Sequence, residues 1–362
     1  MPNWNPALDC AGAWFLHSGI QHSEGGVARY YRSDIQKNAR VSTEITGYAV
    51  SFLTYLYRCT ANECYLEAAQ RAARFLITHA WHASHRLFPF EHSFNGSQPD
   101  PLAYFFDSGI IVRGLLALWR ITAQTDLLDT AIATGHGMIE HFSGNGALHP
   151  ILELPSKKAR AYEPRWSAEP GCYQLKSAMA WHDLFGCSGE APFRQAYEAS
   201  LEQALANDPV FLPGTEDREK VMDRLHAYCY YLEGLLPCAA QSGCAAAIRA
   251  GVTRTSQYLR EIEPEFARSD VYAQLLRVRL FAHQLCIAPL DVDAARYEAD
   301  RAAAFQFASG GIRFHGGYGF GRKRGEMLPF VNPVSTAFCA QAIQMWSEYN
   351  ANTFKTSISE IV

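Results

Sequence analysis

Ser42-Thr43-Glu44-Ile45-Thr46-Gly47-Tyr48 runs into an apolar stretch that ends only at Arg58. Two hydroxyl residues able to cap a helix are followed at once by a carboxylate, then by apolar residues on nearly every face. That order predicts a buried helix with an acid in its first turn. Asp107-Ser108-Gly109-Ile110 repeats the arrangement and opens a second apolar helix. Four later segments follow it more loosely, which sets the reading of the whole chain.

Between the apolar helices lie amphipathic ones. In 63–80, Leu66, Ala69, Ala73 and Leu76 form one stripe with Glu67, Arg71 and Arg74 off it, the mark of a surface helix packing one face inward. Outer helices are expected near 6–20, 63–80, 126–142, 191–207, 244–262 and 291–307, and inner ones near 44–58, 108–122, 171–185, 225–240, 270–286 and 334–349. Inner-to-outer links such as Thr60-Ala61-Asn62, Ala123-Gln124-Thr125 and Gln241-Ser242-Gly243 are short, as in tight αα-hairpins. Outer-to-inner links 21–41, 143–170 and 309–333 each exceed twenty residues. Loops above roughly 12–15 residues are usually functional. The expected class is all-α, an (α/α)6 toroid of six helical hairpins, with long loops that leave room for short β-hairpins at the inner-helix N-terminal end. Length alone suggests two domains, but a repeat architecture accommodates 1–362 as one.

The composition, 48% hydrophobic and 19% charged with net charge −4, is that of a globular protein and suits neither nucleic acid nor an anionic membrane. No apolar run reaches the roughly 18 residues of a membrane span, and the N-terminus lacks the pattern of a signal peptide. Ten scattered cysteines without a CxxC pair read as reduced, buried small hydrophobes, so a cytoplasmic location is expected. The three long loops carry net charges of +2, +1 and +3, which favours an anionic substrate such as a uronate as much as it describes solvated loops.

Acids at the inner-helix starts, Glu44, Asp107, Glu169 and Asp270, either cap helices or do chemistry. Capping suits Glu169, which precedes Pro170, while for Asp107 and Asp270 the two readings are balanced. Glu44 stands apart, because Ser42 or Thr43 already caps its helix and a buried carboxylate is costly unless it lines a cavity. Glu44 and Asp107 are therefore the expected acid/base pair, at a separation on the order of 6–10 Å if they face one another as in an inverting glycosidase. His226, opening Leu225-His226-Ala227-Tyr228-Cys229-Tyr230-Tyr231, is the third catalytic candidate and Asp270 supports it. Arg29 and Arg165 are expected at the anionic group, Tyr30, Tyr48 and Trp166 as the sugar platform, and Glu169, Tyr230, Arg322 and Asn332 as further substrate-binding residues. No cofactor is expected. His79, His82 and His85 lack an acidic or thiolate partner nearby and are not read as a metal site, and neither GxSxG nor HExxH occurs.

The succession STEITGY (42–48), FFDSG (105–109), LHAYCYYLEGLL (225–236), RSDVYAQLLR (268–277) and MLPFVNPVSTAF (327–338) resembles bacterial α/α-toroid proteins associated with exopolysaccharide biosynthesis, whose chemistry is unassigned. The likeness runs from Gly19 to Trp346. More distantly the chain resembles the six-hairpin glycosidase superfamily, with its unsaturated glucuronyl hydrolases, N-acylglucosamine epimerases and glucuronyl C5-epimerases. The resemblance implies a carbohydrate substrate in a cleft at the inner-helix N-termini, on a fold that hosts several chemistries. The recurring carboxylates and the loop asymmetry favour a glycosidase-like enzyme acting on an oligo- or polysaccharide in polysaccharide biosynthesis or turnover. Glu44 and Asp107 stand nearest to the two acids of the glucuronyl hydrolases. The sugar epimerases use two histidines, and here only His226 is well placed, with His315 a weak second. The alternatives are a uronate C5-epimerase or lyase, and a saccharide-binding or scaffold protein without catalysis.

Overall fold

The computed structural model describes residues 5–92, 102–144, 147–163, 165–212 and 218–362. Among these residues it contains twelve α-helices in the alternating outer–inner order expected. They are α1 (Pro6–His17), α2 (Thr43–Thr60), α3 (Glu63–Phe75), α4 (Phe105–Thr122), α5 (Thr125–Phe142), α6 (Leu175–Ser188), α7 (Ala191–Phe211), α8 (Arg218–Leu235), α9 (Ser242–Ile262), α10 (Ser269–Gln284), α11 (Val292–Ala303) and α12 (Pro333–Asn350). The chain divides into two compact units, and it passes between them more than once.

One unit comprises Gln21–Arg29 and Ala39–Ala204, and so holds α2 to α6 with most of α7. Ser42 caps α2, its Oγ accepting the Ile45 N–H at 3.3 Å. The helix ends at Ala61 in the left-handed region (φ 54°), and Asn62 caps α3 through the Cys64 N–H. This is why so few residues close the hairpin. The buried face of α3 is Tyr65, Ala68, Ala69, Ala72, Ala73 and Phe75. Leu66 is only half-buried, so the stripe is rotated slightly from the expected one.

The inner helices α2, α4 and α6 approach at glycines. A Cβ on Gly47 would lie 2.9 Å from the Ile111 Cα, one on Gly114 would lie 2.5 Å from the Gly47 carbonyl oxygen, and one on Gly109 would lie 2.4 Å from the Ser177 carbonyl oxygen. Backbones this close leave no room for a side chain between them. The buried Arg113–Asp183 ion pair, 3.0 Å, joins α4 to α6.

The other unit comprises Met1–Ile20, Tyr30–Asn38 and Leu205–Val362, with α1, α8 to α12 and the end of α7. On α10 every residue from Ser269 to Ala282 is buried, polar ones included. Burying those charges is tolerable only with partners. Arg277 meets Glu233 of α8 at 2.5 Å, and Arg279 meets Glu298 of α11 at 2.6 Å.

Short antiparallel strands occupy the loops that precede inner helices. Val41–Ser42 pairs with Glu91–His92, and Leu102–Tyr104 with Ile151–Glu153, in the first unit. In the second, Tyr31–Arg32 lies between Lys37–Asn38 and Phe330–Val331, and Phe266–Arg268 pairs with Gly321–Lys323. No helix of the described residues is long and apolar enough to cross a membrane. The ten cysteines are all free thiols, but only Cys172, Cys229, Cys244 and Cys339 are buried. Cys64 and Cys286 are exposed, which corrects the expectation that all serve as core residues; each stands near a helix end, where one side faces solvent.

Candidate active site

In the first unit, backbone and hydroxyl contacts draw three inner-helix starts together. The Thr43 hydroxyl donates to the Pro89 carbonyl at 2.6 Å, and the Phe90 N–H donates to the Leu102 carbonyl at 2.9 Å, so residues 89–90 tie the start of α2 to the strand that feeds α4. The Ser177 hydroxyl lies 2.9 and 2.8 Å from the carbonyls of Phe105 and Phe106, which ties α6 to α4. Glu44 sits about one turn before the Gly47–Ile111 contact and Asp107 about one turn before Ile111.

Glu44 lies in the first turn of α2, half-buried. Burial pushes its carboxyl up to about 7, against the opposing pull of the Arg29 guanidinium. Arg29 lies over the Phe90 ring at 5.0 Å and stands 3.6 Å from Glu91, which Arg40 approaches equally. Phe90 in turn packs against Tyr104, ring centres 4.9 Å apart. A second pair, Phe106 and Tyr173, lies with ring centres 6.1 Å apart, and Trp166 meets Tyr173 edge-on at 5.1 Å. Tyr173 is buried, and burial raises its hydroxyl well above the ordinary range; Asp107 adds to that rise and Arg165 opposes it. Arg29, which acts on Glu44, thus stands by the Phe90–Tyr104 pair, and Asp107, Arg165 and Trp166 by the Phe106–Tyr173 pair. Arg165 and Glu169 are exposed, Trp166 is half-buried, and Tyr48 is buried, 2% exposed.

The helix starts differ from the expected ones in instructive ways. Neither Asp107 nor Asp270 is an N-cap: Tyr104 and Arg268 hold those places, without a side-chain capping bond to the helix backbone. Glu169 precedes a 3-10 turn at Cys172–Gln174, and α6 begins only at Leu175, so it does not cap the helix either. Helix α8 begins at Arg218, which puts His226 two turns inside it rather than in the first turn.

His226 nevertheless has a built environment in the second unit. Its Nδ1 lies 2.8 Å from Gln274 Oε1 and 3.4 Å from Asp270 Oδ2, with the Tyr230 ring edge-on at 4.4 Å. Arg268 clamps Asp270 with two bonds, 3.0 and 2.7 Å, and reaches Asp223 of α8 at 2.7 Å. The same guanidinium lies 4.5 Å from the Phe320 ring. Burial lowers His226 to about 4, with Asp270 pulling the other way. Burial alone would raise Asp270, but the charge of Arg268 and its bonds hold it below the ordinary carboxylate range. Asp270 is therefore a fixed anion.

Tyr30 packs edge-on against Phe330 at 5.1 Å. Arg322 donates to the Ala304 carbonyl at 2.8 Å and lies over Phe305, and Asn332 caps α12 by accepting the Val334 and Ser335 N–H groups. Both side chains hold their own loops in place. Phe90, Tyr173, Arg268 and Gln274 were not expected at these places. For the last two a signal exists: Gln274 is four residues after Asp270 on one helix, and Arg268 is two before it. No group of three metal-ligating side chains suited to a metal occurs among the described residues.

No family model matches the sequence, and no curated protein matches it. Solved structures do match. Cellobiose 2-epimerase from Spirochaeta thermophila superposes with a TM-score of 0.74 at 15% identity, over 95% of each chain. A D-mannose isomerase gives 0.67 at 8% identity, over 94% of this chain and 96% of that one. An unsaturated glucuronyl hydrolase variant from Streptococcus agalactiae gives 0.61 at 11% identity, over 93% and 88%. At such identities the likeness is one of fold, and the fold is the (α/α)6 toroid.

Proposed function

We propose that this protein processes a carbohydrate, and that its substrate is an acidic saccharide handled at the starts of α2, α4 and α6. The carrying observation is Glu44, a carboxyl brought by burial to about 7 and acted on by Arg29, whose guanidinium lies over the Phe90 ring. A carboxyl with that affinity for its proton is matched to general-acid work near neutrality. In this reading Glu44 protonates the leaving oxygen, Asp107 acts as the partner base, and Trp166 stacks on a sugar ring. Arg29 and Arg165 meet the carboxylate of a uronate. The chemistry is glycosidase-like hydrolysis, in the assembly or turnover of an exopolysaccharide. Replacing Glu44 by Gln keeps the shape and removes the proton donor. Turnover should fall about 100- to 10,000-fold with substrate binding retained, as expected for a group acting only in the transition state. Equal loss of binding and turnover would remove Glu44 from the chemistry.

A second reading is favoured by the surroundings of His226. A buried, uncharged imidazole backed by a clamped carboxylate is equipped to take a proton from carbon beside a uronate carboxylate, giving C5-epimerisation or β-elimination. Solvent deuterium entering at C5, lost in His226→Asn and kept in Glu44→Gln, would select it.

A further inference from the structure

We infer that Gln274 is a positioning residue that fixes His226 as its Nδ1–H tautomer, leaving Nε2 as the bare, proton-accepting nitrogen. This rests on the second reading above, in which His226 is the base, and adds the residue that decides which ring nitrogen does the work.

Donors and acceptors decide the tautomer. Two groups face Nδ1: the amide oxygen of Gln274 at 2.8 Å and a carboxylate oxygen of Asp270 at 3.4 Å. An amide oxygen only accepts, and an ionised carboxylate only accepts. Asp270 is kept ionised by its paired bonds from Arg268. Nδ1 must therefore carry the hydrogen, and in a neutral ring Nε2 then does not. Turning the amide over would set its NH2 against Nδ1 and demand a lone pair there, directly before the Asp270 oxygen, where two electron-rich atoms would repel. Gln274 is fully buried, and its Nε2 has no partner among the described residues, so His226 is what holds the amide in its orientation.

Backbone order supplies the geometry. Asp270 and Gln274 stand four apart on α10 and so share a face, while Asp223 and His226 stand three apart on α8. Arg268 closes the ring of contacts by bonding both Asp270 and Asp223. The other charges acting on His226 are Arg268 and Glu233, the latter neutralised by Arg277. A glutamine is the acceptor that orients the ring without adding charge. A glutamate there would face the imidazole with a second anion and hold a proton on both nitrogens to higher pH.

The test is nitrogen-15 NMR of the full-length protein labelled at histidine, with the His226 signals assigned through His226→Asn. The inference expects Nδ1 protonated and Nε2 bare at pH 7. Gln274→Met leaves only the longer Asp270 contact at Nδ1, and should move part of the proton population to Nε2, with both shifts displaced toward their average. Gln274→Glu should keep the tautomer and move the His226 titration upward. A bare Nδ1 in the parent protein, or a tautomer unchanged in Gln274→Met, overturns the inference. Should the Met variant fail to fold, an unmoved titration in Gln274→Glu overturns it alone. Full turnover in His226→Asn would instead defeat the reading of His226 as the base, whatever the tautomer.

Discussion

Replacing Glu44 by Gln should make the protein more stable at pH 8 and leave it nearly unchanged at pH 4. The carboxyl is shifted from 4.5 to about 7 by burial in the folded state. Between those values the folded chain holds a proton that the unfolded chain has released, so stability falls as pH rises. The stabilising share is fully present below about pH 4.5 and is lost as pH passes about 7. At about 1.4 kcal/mol per pKa unit, the loss is on the order of 3 kcal/mol. Gln cannot ionise and so escapes it. Urea unfolding of the parent and the variant from pH 4 to 8 reads the difference directly, because all other titrating groups cancel between them. Arg29→Met is the control: removing the cation that opposes the shift should steepen the parent's pH dependence. An E44Q variant no more stable than the parent at pH 8 would refute the desolvated-acid argument, and with it the assignment of Glu44 as the proton donor.

Other consequences follow from the packing. Gly109→Ala puts a Cβ 2.0 Å from the Ser177 hydroxyl and 2.4 Å from its carbonyl oxygen, so unfolding measurements should show a loss of about 1–3 kcal/mol despite the better helix propensity of alanine. Arg277→Met removes the guanidinium that meets the fully buried Glu233, and should cost about 3–5 kcal/mol by urea unfolding; adding Glu233→Leu should recover much of it. Asn332→Ala should cost about 1 kcal/mol of stability through the lost cap on α12 and leave saccharide binding by calorimetry unchanged.

The helices were legible in the sequence because period and caps agree locally. Ser42 before α2 and Asn62 before α3 act as their residue types suggest. Helix α8 was harder: its first turns are rich in charge, which hid a start at Arg218 and made His226 look like a first-turn residue. Glu169-Pro170 looked like a helix start, but the chain makes a 3-10 turn first. Glu44 could be singled out because a neighbour already supplied the cap, so its carboxyl had no local use. The aromatic pairs Phe90–Tyr104 and Phe106–Tyr173 were not legible, since they are assembled by strand pairing and by Ser177 across distant segments. Arg322 and Asn332 show the opposite error, where a polar loop residue that looks available for substrate is occupied by its own backbone. Gln274 shares a helix face with Asp270 by its four-residue spacing, but that spacing gives no sign of the partner on α8.

The account is tested most directly by a proton-NMR time course in D2O with purified protein and a panel of uronate-containing oligosaccharides. It predicts new reducing-end anomeric signals that vanish in Glu44→Gln. Loss of the H5 signal without cleavage, or new vinylic signals, would move the chemistry to His226. A panel that stays silent and shows no line broadening on adding protein would contradict the claim that this protein acts on acidic saccharides.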